Sequence, residues 1–130
     1  MSAQSHPFFY NTSLALSVFP MLFGINAMLR PDSHLRALGF PLHTEPTAKK
    51  LNLALMRIWS IRNLSVGFLL ALIWNTGDEK LMAKALGAGM AMATTDGFVS
   101  RLLIGGGETQ HWIFPPVLGV VIAGLYGWFD

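Results

Sequence analysis

Two arginines, an aspartate and a histidine are the residues of this sequence best equipped for chemistry. Arg57 and Arg62 lie in "MRIWSIRNLSVGFLLALIW", Asp96 lies in "ATTDGFVSR", and His111 opens "HWIFPPVLGVVIAGLYGWF". A guanidinium stays charged at physiological pH, so an apolar segment that contains one needs a counter-charge, a wet cavity or a route to the surface. Asp96 is the lone acidic residue inside the apolar segments, with Arg57, Arg62 and Arg101 as candidate partners. On a helix, Arg57 and Arg62 point roughly 140° apart. One can pair with Asp96 while the other faces a pocket or bonds to backbone. A carboxyl and an imidazole in an apolar pocket are parts for proton transfer, and a guanidinium stabilises negative charge developing on oxygen. Asn26, Asn63, Trp59 and Arg101 are candidates for holding a substrate. The competing structural reading makes Arg57 with Asp96 a clamp between helices and lets Arg101 reach the headgroups. His6, His34 and His43 match no metal-ligand spacing and read as solvated; no metal and no cofactor is indicated.

The elements that must position these groups are apolar. Hydrophobic residues make up 52% of the chain and charged residues 12%, against roughly 25% charged in soluble domains. Four apolar segments, 8–29, 53–74, 81–103 and 111–129, are each near the length that crosses ~30 Å of hydrocarbon. They predict an all-α protein, a four-helix transmembrane bundle forming one integral membrane domain over 1–130. The alternation of a β-barrel is missing, and so are the polar faces of a soluble bundle. Pro20 predicts a kink in the first span. "DSHLRALG" predicts a short interfacial helix capped by Asp32 or Ser33 and stopped at Gly39. Pro115 and Pro116 suit the first turn of the last helix. Ala83, Gly87, Ala91 and Thr95 form a small-residue stripe suited to close helix contact, within the bundle or in a homodimer. Gly105 to Gly107 predict a hinge, lacking the lysine and strand of a phosphate loop.

The net charge of +2 gives no reason to expect nucleic acid, and zero cysteines exclude thiolate and disulfide chemistry. The first segment follows no Lys or Arg and reads as a retained span, not a signal peptide. Loop Lys and Arg are concentrated in loops one and three, which puts those loops in the cytosol of a multi-pass protein of the endoplasmic reticulum or another endomembrane. At ~1.5 Å rise per residue, Arg57, Asp96 and Asn26 then share a depth in the cytosolic half. Arg62 lies near the midplane, and Arg101 and His111 at the mouth.

"MRIWSIRNLSVGFLLALI" followed by "ATTDGFVSRLLIGGGETQHW" resembles a largely uncharacterised family of small four-span integral membrane proteins common in fungi and some bacteria. The matching positions are Arg57, Arg62, Asn63 and Gly67, then Asp96 and Gly97, then His111, with the "LRALGFP" turn. The resemblance implies a place in natural-product pathways, on lipophilic polyketide or terpenoid intermediates.

These readings lead to a small membrane enzyme doing cofactor-independent acid–base chemistry on a lipophilic small molecule: epoxide hydrolysis or cyclisation, with isomerisation second. Asp96 is the expected acid or base, Arg57 and Arg62 its orienting cations, and His111 a second proton-transfer group. The alternative is a non-catalytic membrane scaffold, partner subunit or lipid-binding protein.

Overall fold

The computed structural model describes residues 4–130. Among these the chain is all-α: α1 (Pro7–Leu29), α2 (Pro31–Ala37), α3 (Pro46–Trp74), α4 (Glu79–Val99), α5 (Thr109–Trp112) and α6 (Phe114–Leu125), with a π-helical turn at Ser100–Ile104 after α4. Prolines open α1, α2, α3 and α6, where the missing N–H costs nothing and the fixed φ suits a first turn. Proline also corrects the expected cap of α2, because the helix starts at Pro31, one residue after Arg30, and Asp32 sits inside its first turn. Gly39, at φ +76, ends it as expected. Glu45 caps α3 with both carboxylate oxygens, accepting the amide N–H groups of Thr47 (3.0 Å) and Ala48 (2.7 Å). That cap extends α3 to 29 residues, so the helix starts seven residues before the apolar segment that begins at 53. Asp78 caps α4 by accepting from the Leu81 amide at 2.9 Å.

α1 and α3 run antiparallel in the closest helix contact. Small residues make it: Ser13, Ser17, Gly24 and Ala27 on α1 are buried, as are Ser60 and Gly67 on α3. A β-carbon on Gly24 would stand 2.6 Å from the Ser60 carbonyl oxygen, and one on Gly67 would stand 2.6 Å from that of Ser17. The hydroxyls of Ser13, Ser17 and Ser60 bond to carbonyls of their own helices, which removes their polarity from the contact. The stripe expected to serve this purpose lies elsewhere. Of that stripe on α4 only Ala83 is buried, Ala91 and Thr95 are exposed, and nothing stands within 4 Å of a β-carbon built on Gly87. α4 packs instead along α6, and α2 lies across α1 and α3.

Two apolar clusters hold the ends. Tyr10, Leu70, Met82, Leu86, Val121 and Leu125 form one beside the α3–α4 turn; Ala27, Leu35, Leu38 and Met56 form the other beneath α2. The Tyr10 hydroxyl donates to the Trp74 carbonyl, tying α1 to the end of α3. Large apolar side chains face outward on several helices, among them Leu22 and Ile25 of α1, Ile58, Phe68 and Leu72 of α3, and Val120 of α6. α1 and α3 are each long and apolar enough to cross a membrane by length and composition; the Thr109–Leu125 segment is apolar but shorter.

His6 is not a solvated tail residue. Its backbone N–H and its Nδ1 both reach the Glu79 carboxylate at 2.9 Å, and its Nε2 reaches Asp130 at 2.9 Å. Two carboxylates around one ring favour the doubly protonated imidazolium. The bond to Asp130, then that to Glu79, raises its pKa above the ordinary 6.5. A raised folded-state value stabilises the fold fully below 6.5 and loses that contribution as pH rises through the higher value.

Two predictions follow from this packing. Gly24→Ala and Gly67→Ala each overpack the α1–α3 contact and cost about 1–3 kcal/mol, read as a lower thermal midpoint in detergent, whereas Gly87→Ala gains helix propensity and holds or raises it. The stability gap between the wild type and His6→Ala shrinks from about pH 6 to about pH 8; a gap constant with pH contradicts the clamp.

Candidate functional site

Between the two clusters lies a cavity of about 200 Å³, lined by residues of all six helices. It is larger than the ~150 Å³ cavity that accepts benzene in an engineered core. Leu16, Leu70, Leu86 and Leu118 line it, as do the rings of Phe19, Phe23, Trp59 and Phe114. Its polar lining comes from His34, Asn63, Asp96, Gln110 and His111. Helix periodicity explains this: Trp59, Asn63, Val66 and Leu70 recur on one face of α3, and Leu86, Gly89, Ala93 and Asp96 on one face of α4.

Asp96 pairs with Arg62, Nη2 to Oδ2 at 2.7 Å. The expected clamp through Arg57 is therefore replaced by one through Arg62. Counting residues along the helices set Arg57 level with Asp96, but rotation decides the contact. Relative to the cavity face of α3, Arg62 lies about 70° round and Arg57 about 150° round. Arg57 is exposed on the outer side, where its stem can run along the helix to the surface. Arg62 and Asp96 remain 44% and 26% exposed, so the ion pair spans the edge of the α3–α4 gap and is not sealed inside it.

The loops bring the other groups in. At the π-helical turn, a local widening often found at functional sites, the Ser100 hydroxyl donates to the Gly106 carbonyl. Gly107, at φ +80, lies against the Leu38 carbonyl, and a β-carbon on Gly39 would stand 3.1 Å from the Gly107 α-carbon. This backbone contact joins the end of α2 to the start of α5 through Gly107, while a β-carbon built on Gly105 or Gly106 would meet nothing within 4 Å. One consequence is that His34 of α2 and His111 of α5 line the same cavity. His111 packs on Phe40 with ring centres 5.9 Å apart, and His34 on Trp59 at 5.0 Å. Gly97, beside Asp96, has no side chain because the Trp112 indole occupies that space; the indole N–H donates to the Thr94 carbonyl at 3.2 Å.

Of the residues singled out in the sequence, Asp96, His111, Asn63 and Trp59 line the cavity and Arg62 reaches it through Asp96. Asn26 bonds His34 at 2.8 Å. Arg101 is exposed, with its guanidinium 5.9 Å from the Trp112 ring centre, outside the cavity lining. His34 was missed. Its signal is the spacing of Pro31, His34, Leu35 and Leu38, all buried, which is the i, i+3, i+4, i+7 stripe of an amphipathic helix. Among the described residues, no three of His, Cys, Asp or Glu converge to hold a metal ion.

Among the described residues, the fold and cavity define an all-helical protein with an interhelical chamber that combines aromatic walls with titratable groups. The chain belongs to the family described as Domain of unknown function (DUF4267), which it matches over residues 17–126, a range that contains every cavity residue except Leu16. No curated protein and no solved structure matches it.

The pairing predicts a difference between the two arginines. Arg62→Met lowers the thermal midpoint, by on the order of 1 kcal/mol for a partly wet pair, and the exchange Arg62→Asp with Asp96→Arg recovers part of the loss. Arg57→Met stays within about 0.5 kcal/mol of wild type.

Proposed function

We propose that this protein is a membrane-embedded enzyme that binds a lipophilic molecule in the interhelical cavity and carries out acid–base chemistry on it. The supporting observation is the chamber itself: apolar and aromatic walls, with Asp96 and His111 on one lining and the Arg62 guanidinium bonded to the carboxylate. An apolar wall favours a greasy substrate, while the few polar groups set its orientation. Asp96 acts as the proton-transfer group, Arg62 orients it, and His111 serves as a second proton carrier. Epoxide opening suits these parts, because it needs a proton donor at the ring oxygen and a base for water or an internal hydroxyl; isomerisation by proton shuttling needs the same pair. At about 200 Å³, the cavity takes the reacting end of a polyketide or terpenoid while the remainder lies along the helices. The outward apolar side chains, with α1 and α3 already span-like, support α4 and the Thr109–Leu125 segment as two further crossings. The basic residues of loops one and three favour the cytosolic side of an endomembrane.

A second reading draws on the same ion pair: Arg62–Asp96 as a structural clamp in a non-catalytic scaffold or lipid-binding protein. One experiment separates the two. The lipophilic compound that accumulates when the gene is deleted is supplied to membranes containing wild type or Asp96→Asn. Catalysis predicts conversion by the wild type and a loss of about 10²-fold or more in the variant at equal protein abundance. Equal conversion, or loss only in step with abundance, removes Asp96 from the chemistry; no conversion by the wild type beyond membranes lacking the protein rejects the enzyme and supports the clamp.

A further inference from the structure

The helices around the chamber are joined unevenly. α1 lies close on α3 and α4 on α6, while α1 and α6 touch more sparsely. Their seam is shut at one end, where Gly124 makes room for the Phe9 ring, Phe9 packs on Phe129 with ring centres 5.8 Å apart, and His6 bonds Asp130 at 2.9 Å. Further along α1, side-chain rings bridge the seam. Phe19 and Phe23 lie 6.2 and 5.9 Å from Phe114 of α6, centre to centre. All three rings line the cavity. Phe19 is also 45% exposed on the outer surface, so its ring stands between the chamber and what lies outside.

What lies outside is apolar. Phe19 falls near the middle of the 23-residue α1, so a crossing α1 carries it to the interior of the hydrocarbon layer. Its exposed neighbours Val18 and Leu22, with Val117 of α6, are apolar as well. Pro20, next to Phe19, has no N–H to give the Leu16 carbonyl one turn back, which makes α1 easiest to bend at this level. The other sparse seam, α3–α4, holds the Arg62–Asp96 pair at 2.7 Å. An apolar molecule entering there would strip water from two charges, which is costly.

We propose that the α1–α6 seam is the portal through which a slender apolar molecule passes from the hydrocarbon of the bilayer into the cavity, with Phe19 and Phe114 as its gate. This rests on the reading of the cavity as a ligand site within a membrane, and it names the route and the shape of the ligand. The gate opens by rotation of phenyl side chains, at the loss of ring-on-ring contact. A flat ring or an unbranched chain replaces those contacts as it passes, whereas a bulky cage does not. Inside, the entrant meets Asp96 and His111 on the cavity lining.

The test reads entry directly, because the chain has no cysteine. Gly89 lines the cavity, and nothing stands within 4 Å of a β-carbon built on it, so Gly89→Cys places a lone thiol in open space. The full chain in lipid nanodiscs, which expose both aqueous faces, is treated with N-phenylmaleimide or with its water-confined 4-sulfonate, and labelling is followed by mass. Leu69→Cys, on an exposed face of α3, gives the reference rate for a thiol in lipid. The phenyl reagent labels position 89, and the sulfonate does so on the order of 10-fold more slowly or less, since its charge resists entry into hydrocarbon. Added to Gly89→Cys, Phe19→Leu and Phe114→Leu each speed phenyl labelling on the order of 5-fold, the worth of a lost ring pair, and neither changes the rate at position 69. The reagent comparison needs no gate variant, so it stays decisive should one fail to fold. Acceleration in neither variant, or a sulfonate as fast as the phenyl reagent, overturns the portal while leaving the cavity a ligand site. If neither reagent reaches position 89 until the chain is denatured, the ligand-site reading fails, and this inference with it.

Discussion

The Asp96 carboxylate, near the C-terminal end of α4, is bonded to the Arg62 guanidinium of α3 at 2.7 Å. Much of the site follows from that pairing. It fixes the rotation of α3 about its own axis, because Arg62 must face α4. With that rotation set, Trp59, Asn63, Val66 and Leu70 turn inward, Ser60 and Gly67 face α1, and Arg57 turns out. A slip of α3 by one residue, about 100°, would part Arg62 from Asp96 and push Val66 or Phe68 against the small-residue face of α1. Such a slip gives up the ion pair, on the order of 1 kcal/mol for a partly wet pair, and overpacks the α1–α3 contact, at about 1–3 kcal/mol.

The remaining geometry comes from backbone contact. Glycines do the work at three places: Gly24 and Gly67 let α1 and α3 touch, Gly97 admits the Trp112 indole, and Gly39 with Gly107 bring two loops together. The first closes one wall of the cavity. The second seats α5 on α4 next to Asp96, and the third carries His34 and His111 to a common chamber. Between the apolar clusters at either end, the helices are held apart enough to leave room for a ligand while the ends stay packed.

Much of this was legible in the residues. Prolines, caps and glycines marked the helix limits, and scarcity of charge pointed to an apolar environment. Asp96, His111, Asn63 and Trp59 stood out as polar or bulky groups in apolar segments, and all four line the cavity. Depth along a helix misled, however. It placed Arg57 opposite Asp96, because counting rise ignores rotation. The small-residue stripe of α4 was visible but points mostly away from the core, since sequence spacing identifies a face without saying what it meets. The polar "EPTAKK" lies outside the apolar segment, and Glu45 and Pro46 are the signals that the helix itself starts earlier. His34 was passed over as a loop residue, although its place in the α2 stripe predicted burial. Its bond to Asn26 depends on a turn between α1 and α2 that no local pattern reveals.

The rotation of α3 is the claim on which the site stands, and chemistry can read it directly because the chain has no cysteine. Cysteine pairs placed at 66 and 92, which both line the cavity, and separately at 68, which faces outward, and 92, leave Arg62 and Asp96 in place and are treated in membranes with a short bifunctional maleimide. The account predicts efficient intramolecular cross-linking of the 66–92 pair and little or none of the 68–92 pair. Preferential cross-linking of 68 to 92 contradicts it.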